Sequence, residues 1–454
     1  MTEDDSELRP AFETIARGRR PRRTAVVAGV AALVVGGALA AGAALRGEPC
    51  EPAAAALDRT LDHARIDGIA ARLADVAVPY AAQTGARVGE ALARWRDAWT
   101  TARTDACEAS MVRGEQSRVL MELRMLCLAR NAQDVVPLLS RLEQADATVV
   151  EHAIELVASM PAAPHCDDTE ALLTTTPLPA DAEQRREIAQ IREAQVELAL
   201  RATLHERDTA VEFDALRQRA EAVEHPPTLA AVLLEQAYAA HADRRDADSA
   251  ATAERAIAAA IEGGDEAIAF RAAAHRAAIL GDALGRQAES LSSSTLAQAW
   301  WRHRGKDPAE QLRLLSAQIV AHNGAARVAE ARLDGSAAMA LAMSLPRSVE
   351  HERAVADLRE SLMVTEWIAG DDEAALAHGL AAAEQIDALY GREHPRAASL
   401  ATDLSTVLTR MGRLDEADAQ RRRAAAARPR GRAQALALPA AHPVRRRIEA
   451  AATP

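Results

Sequence analysis

Aromatic residues are almost absent from this chain: five Trp, three Tyr and three Phe make up 2% of 454 residues. β-Branched residues rarely alternate with polar ones, which argues against a sheet. Glycine and proline are sparse, at 22 and 19 residues. What remains is dominated by alanine, with arginine and glutamate supplying most of the charge, the composition of a helix former. Lys306 is the single lysine among 54 basic residues. The net charge of −12 argues against nucleic acid as the partner of the main body. Catalytic signatures are lacking as well: no nucleophile elbow, H-E-x-x-H, phosphate loop or pair of carboxylates on a glycine-rich frame occurs. His205-Glu206-Arg207-Asp208 and His351-Glu352-Arg353 set acid beside base, but adjacent helical residues face apart. The expectation is a chain that is not an enzyme and carries no cofactor or metal.

Charge is also missing from one long stretch, Thr24 to Leu45, which follows Arg17, Arg19, Arg20, Arg22 and Arg23. As a helix it would extend about 33 Å, enough for a hydrocarbon core of roughly 30 Å. The arginines place the N-terminus in the cytoplasm and the rest of the chain outside the cytoplasmic membrane. A cleaved signal peptide is the competing reading, because Ala38-Leu39-Ala40 and Ala41-Gly42-Ala43 resemble cleavage sites. The 23-residue leader and the length of the run favour a retained single-pass anchor.

The four cysteines, Cys50, Cys107, Cys127 and Cys166, all follow that run. An even count on the oxidising side of a membrane reads as two disulfides. Cys107 and Cys127 sit on consecutive predicted helices, so 107–127 with 50–166 is the expected pairing among three. Zinc would need a C-x-x-C or Cys/His spacing, and His165-Cys166-Asp167-Asp168 reads as a loop after Pro161 and Pro164.

Beyond Ala53 the pattern is helical throughout. Val88, Leu92, Trp95, Trp99, Ala102 and Ala106 mark one helix face. Ser117 is placed to cap the next helix, with Leu120, Leu123, Leu126, Cys127 and Leu128 inward, and a third apolar segment runs from Val135 to Met160. Asp181–Gln184 and Thr209–Glu212 have capping-box spacing. Helices then alternate with short breaks, as in a stacked α-solenoid. Trp300 and Trp301 are expected in the core.

The last third reveals a period. Gly370 and Ala375 recur as Gly412 and Ala417, 42 residues on. Leu404, Leu408, Gly412, Ala417, Ala424 and Pro429 follow the spacing of a tetratricopeptide repeat, which this unit resembles in its longer, kinesin-light-chain variety. Fainter units fall at Ala239–Gly264 and around Gly335. The expected organisation is a cytoplasmic tail (1–23), a transmembrane helix (24–45), a Cys-containing helical region (46–170), tetratricopeptide-like repeats (171–429) and a basic tail (430–454).

Trp95-Arg96-Asp97-Ala98-Trp99, Ala106-Cys107-Glu108-Ala109, Gly114-Glu115-Gln116-Ser117, Leu123-Arg124-Met125-Leu126-Cys127-Leu128 and Cys166-Asp167-Asp168 occur in that order. In this the chain resembles the extracytoplasmic part of large Ser/Thr protein kinases of myxobacteria, in which a kinase domain precedes one membrane helix, such a region and tetratricopeptide repeats. The kinase signatures themselves are missing, and His303-Arg304-Gly305 is not a catalytic loop. The resemblance implies a membrane-tethered module that binds a protein or peptide in the solenoid groove, with a partner kinase supplying catalysis. The alternative is a remnant or separately encoded part of such a kinase. Arg302, His303, Arg304, Trp367, Tyr390 and Arg410 are candidate groove residues.

Overall fold

The structure, a computed structural model, describes residue 50 and residues 53–161, 166–304 and 307–426. The apolar run 24–45, His165, Lys306, Pro429 and the 430–454 tail lie outside the described residues. Among the described residues there are nineteen α-helices and no strand, and no helix is long and apolar enough to cross a membrane. All nineteen fall within the compact unit of residues 52–454.

The first seven are α1 (Ala53–Leu57), α2 (His63–Ala74), α3 (Ala81–Met111), α4 (Arg118–Asp134), α5 (Val136–Glu143), α6 (Ala147–Ala158) and α7 (Thr169–Thr174). The α3 face is as its spacing requires: Val88, Leu92, Trp95, Trp99, Ala102 and Ala106 are buried. The two indoles find acceptors, Trp95 on the Pro161 carbonyl (2.9 Å) and Trp99 on that of Leu128 (2.8 Å), so their burial leaves no unmatched N–H. Ser117 caps α4 by accepting from the Leu120 amide. The inward set on α4 needs correction. Leu128 is buried and Cys127 partly so, Leu120 and Leu123 are half-buried, and Leu126 is 47% exposed. The helix is apolar around most of its circumference and one side alone meets α3. The apolar segment after it is two helices, because Asp146 accepts from the Val149 amide and starts α6 afresh.

The disulfide pairing is also corrected. Cys127 bonds Cys166, with Cα atoms 5.6 Å apart. Cys50 and Cys107 are disulfide-bonded too, and no thiol is free. Cys127 faces the chain that re-enters after α6, one turn from Asn131, whose amide approaches Cys166 Sγ at 3.5 Å.

After α8 (Ala182–Thr203) and α9 (Thr209–Ala222) the chain becomes a regular array of five antiparallel pairs. They are α10 (Pro226–Ala242) with α11 (Asp246–Gly263), α12 (Glu266–Asp282) with α13 (Gln287–His303), α14 (Pro308–Gly324) with α15 (Val328–Ser344), α16 (Val349–Ala369) with α17 (Asp372–Tyr390), and α18 (Pro395–Arg410) with α19 (Leu414–Ala426). Asp181 caps α8 as expected, accepting from Gln184. The box at Thr209 does not form: Asp208 takes a left-handed conformation (φ 66°), and Thr209 is the buried first helical residue, its hydroxyl directed back at the Glu206 carbonyl.

Each pair turns in the same way. A residue with positive φ stands at 244, 285, 326, 370 and 412, so the period is 41, 41, 44 and 42 residues. Five residues after each comes a fully buried small side chain: Ser249, Ser290, Ala331, Ala375 and Ala417. The serines hydrogen-bond the carbonyl of the partner helix, Ser249 to Ala237 (2.8 Å) and Ser290 to Ala277 (2.7 Å). Small residues also seat the next pair: a Cβ on Gly335 would lie 2.3 Å from Leu362 Cδ2, and one on Gly379 2.6 Å from Leu404 Cδ2.

Candidate functional site

The first helices of successive pairs stack directly, α10 on α12, α12 on α14 and α14 on α16. The contact between them is apolar, and the accessible side of the stack carries ionic side chains. Arg271 on α12 reaches back to Glu235 on α10 (Nη2 to Oε1, 3.6 Å) and lies over the Tyr238 ring, 5.8 Å from its centroid. Arg313 stands on α14, exposed. Arg353 on α16 approaches Asp357 at 3.6 Å, and Arg396 on α18 spans Asp357 (2.5 Å) and Glu360 (2.8 Å). The surroundings shift these groups. Burial pushes the Glu235 carboxyl up against the pull of Arg271. Burial also raises Glu360 to about 7, opposed by Arg396 and reinforced by Asp357 and Asp403. Desolvation lowers Arg313, and the nearby Arg271 lowers it further.

Two long-range devices hold this face in place. The first closes the array on the Cys-containing region. Tyr390 donates to Glu155 Oε1 (2.9 Å), and His394 meets the Glu151 carbonyl (2.9 Å). Gln83 donates to the carbonyls of Asp387 (2.8 Å) and Ala388 (2.7 Å). Gly391, at φ 101°, packs so tightly that a Cβ would lie 2.9 Å from Tyr80 Cβ. One hydrophobic cluster accordingly joins Leu57–Leu204 residues to Val349–Ala417 residues.

The second device is a strap, residues 166–178, that crosses three inter-pair loops in turn. It is anchored on α4 by the Cys127–Cys166 bond and by Asp167, which pairs with the buried Arg124. Asp168 then meets Arg304 (3.2 Å) between α13 and α14. The Thr176 amide and hydroxyl both donate to the Gly263 carbonyl (3.0 Å each) between α11 and α12. Finally the Thr176 and Pro177 carbonyls approach His225 ahead of α10.

One arrangement imitates catalysis. His275 Nε2 is 2.9 Å from Ser249 Oγ, and His241 Nδ1 is 2.7 Å from Asp246. The Ser249 proton, however, is committed to the Ala237 carbonyl, so His275 must donate to the hydroxyl rather than activate it. Ser249 is fully buried, and burial lowers His275 to about 3, keeping it neutral. These are packing interactions. Among the described residues no group of three His, Cys, Asp or Glu is placed to hold a metal ion.

The sequence matches no protein-family model and no curated protein.

The groove candidates divide. Arg302 and His303 are exposed at the end of α13, with His303 bonded to Glu266. Arg304 is bound to Glu310 and Asp168, and Trp367 and Tyr390 are 4% and 1% exposed. Arg410 stacks on Trp367 and pairs with Asp372. These four hold the fold and do not line an open surface. Trp300 and Trp301 pack against the α10–α14 core but stay partly exposed. Of the repeat-signature residues, Leu404, Leu408, Ala417, Ala424 and Ala375 are buried between helices, and Gly370 and Gly412 make the positive-φ turns. Composition missed Arg271, Arg313 and Arg353, which look like any solvated arginine until the repeats are aligned. An open depression of about 840 Å³ near Gly370 has its arginines engaged, Arg332 by Glu366 and Arg413 by Glu416.

Proposed function

We propose that this chain is a non-enzymatic binding protein, a tetratricopeptide-type array tethered to the cytoplasmic membrane by segment 24–45, which holds a protein or peptide partner outside the cytoplasm. The observation that carries this reading is the stacked face of α10, α12, α14 and α16, where arginines and carboxylates remain accessible on a rigid, alanine-packed frame. A surface built from repeated helices offers many weak contacts at fixed intervals, which suits an extended partner. Engagement of all four cysteines in disulfides supports an oxidising compartment. The kinase-like order of motifs between Trp95 and Asp168 supports a role as the sensor-like half of a Ser/Thr kinase system whose catalytic chain is separate.

The test is to tag the C-terminus, solubilise native membranes in mild detergent and identify what co-purifies. A kinase or envelope protein recovered reproducibly, and lost on charge reversal of the α12–α14 face, supports the reading. Recovery of nothing above background counts against it.

A further inference from the structure

We propose that Arg271, Arg313 and Arg353 form a ladder that binds an acidic peptide in polyproline II conformation, with a carboxylate at every third residue meeting successive rungs. This rests on the first-helix face being the binding surface.

The three arginines recur with the repeat, 42 and 40 residues apart, each in the second turn of its helix (α12, α14 and α16). All three reach solvent: Arg271 and Arg353 are 39% and 41% exposed, and Arg313 is exposed. Their forks are not saturated. The 3.6 Å approaches of Arg271 to Glu235 and of Arg353 to Asp357 exceed hydrogen-bond range, and Arg313 makes no hydrogen bond or ion pair among the described residues. Structural arginines of this protein behave differently. Arg304, Arg124 and Arg396 each bind two carboxylates. The protein around Arg313 strips part of its hydration, Glu310 and Asp307 attract it only from beyond ion-pair distance, and an incoming anion would supply the direct partner.

Spacing selects the ligand. Directly packed helices lie about 8–10 Å apart. A polyproline II chain rises about 3.1 Å per residue with three residues per turn, so side chains at i, i+3 and i+6 share one face at about 9 Å intervals. A β-strand fails this match, because its i and i+3 side chains point to opposite faces. Each guanidinium fork matches a carboxylate in planar, bidentate fashion.

The experiment uses the full chain in detergent and two fluorescein-labelled peptides of identical composition, read by anisotropy. One carries Asp-Pro-Ala three times, and the other has its three Asp residues contiguous. The register peptide should bind about tenfold or more tighter, since one charge-assisted bond is worth about that factor. Arg313→Glu should abolish the difference, and Arg313 is exposed and unpaired, so the variant should fold. Arg286→Ala, which removes an arginine bound to Glu289 away from the ladder, should leave it intact. Equal binding of the two peptides, binding insensitive to Arg313→Glu, or preference for a phosphoserine version over the Asp version overturns the proposal. A native partner captured equally by wild type and Arg313→Glu would overturn the ladder while leaving the binding reading standing. Failure of the wild-type protein to bind either peptide or to capture any native partner would remove both.

Discussion

The Tyr390 hydroxyl donates to Glu155 Oε1 at 2.9 Å, joining residues 235 apart in sequence. Tyr390 is the last residue of α17, and Glu155 lies on α6 of the Cys-containing region. The bond therefore ties the last pairs of the array to the Cys-containing region. Tyr390→Phe keeps the ring and removes one hydrogen bond to a carboxylate whose other oxygen, Oε2, is already buried without a partner. The expected loss is about 1.5–3 kcal/mol in chemical denaturation. Amide exchange should rise around residues 151–155 and 387–394 and not around 226–282. A change confined within about 0.5 kcal/mol would show that the closure does not depend on this bond.

Release of the strap is expected to be costlier. Cys127→Ser with Cys166→Ser should destabilise the protein by about 2–5 kcal/mol and raise exchange along 166–178 and at Gly263–Gly264. Detection of four alkylatable thiols in protein taken from its native source would sink the assignment of bridged cysteines.

The recurring turn makes a paired prediction. Ala326 holds φ 56°, a conformation that costs a non-glycine residue about 1 kcal/mol. Ala326→Gly should stabilise by a few tenths to about 1 kcal/mol after the unfolded-state entropy of glycine is offset. Gly412→Ala should act oppositely by about 1 kcal/mol, since φ is 74° and no atom lies within 4 Å of the added Cβ. Shifts of the same sign in thermal melts would contradict a shared turn geometry. This position also explains what the sequence concealed. The glycines at 370 and 412 announce the period, whereas Arg244 and Ala326 occupy the same backbone state without a compositional signal. Ser249 and Ser290 likewise stand where Ala331, Ala375 and Ala417 stand later.

Glu360 makes a pH prediction. Burial lifts it in the folded protein to about 7, above the ordinary glutamate value of 4.5, so between these limits the native state binds more protons than the unfolded chain. Its contribution to stability is present below the unfolded value and lost as pH rises toward about 7. His152 and His394, both lowered by burial, act with the opposite sign as pH falls through the usual histidine range. Comparing wild type with Glu360→Gln removes those common contributions. The variant should gain stability relative to wild type as pH rises from about 4.5 to 7, and a constant difference across that range would refute the shift.

Helix by helix, the sequence determined a great deal by itself. Caps at Ser117 and Asp181, the buried face of α3 and the period through Gly370 and Gly412 are local, and each follows from spacing along one or two helices. The partner of Cys127, the closure of Tyr390 on Glu155, the strap across Gly263 and Arg304, and the alignment of Arg271 with Arg313 were decided by the tertiary structure. Periodicity states which side of a helix is buried. It does not state which distant helix covers that side, because alanine-rich faces are nearly interchangeable and the choice falls to a few polar contacts between residues far apart in the chain.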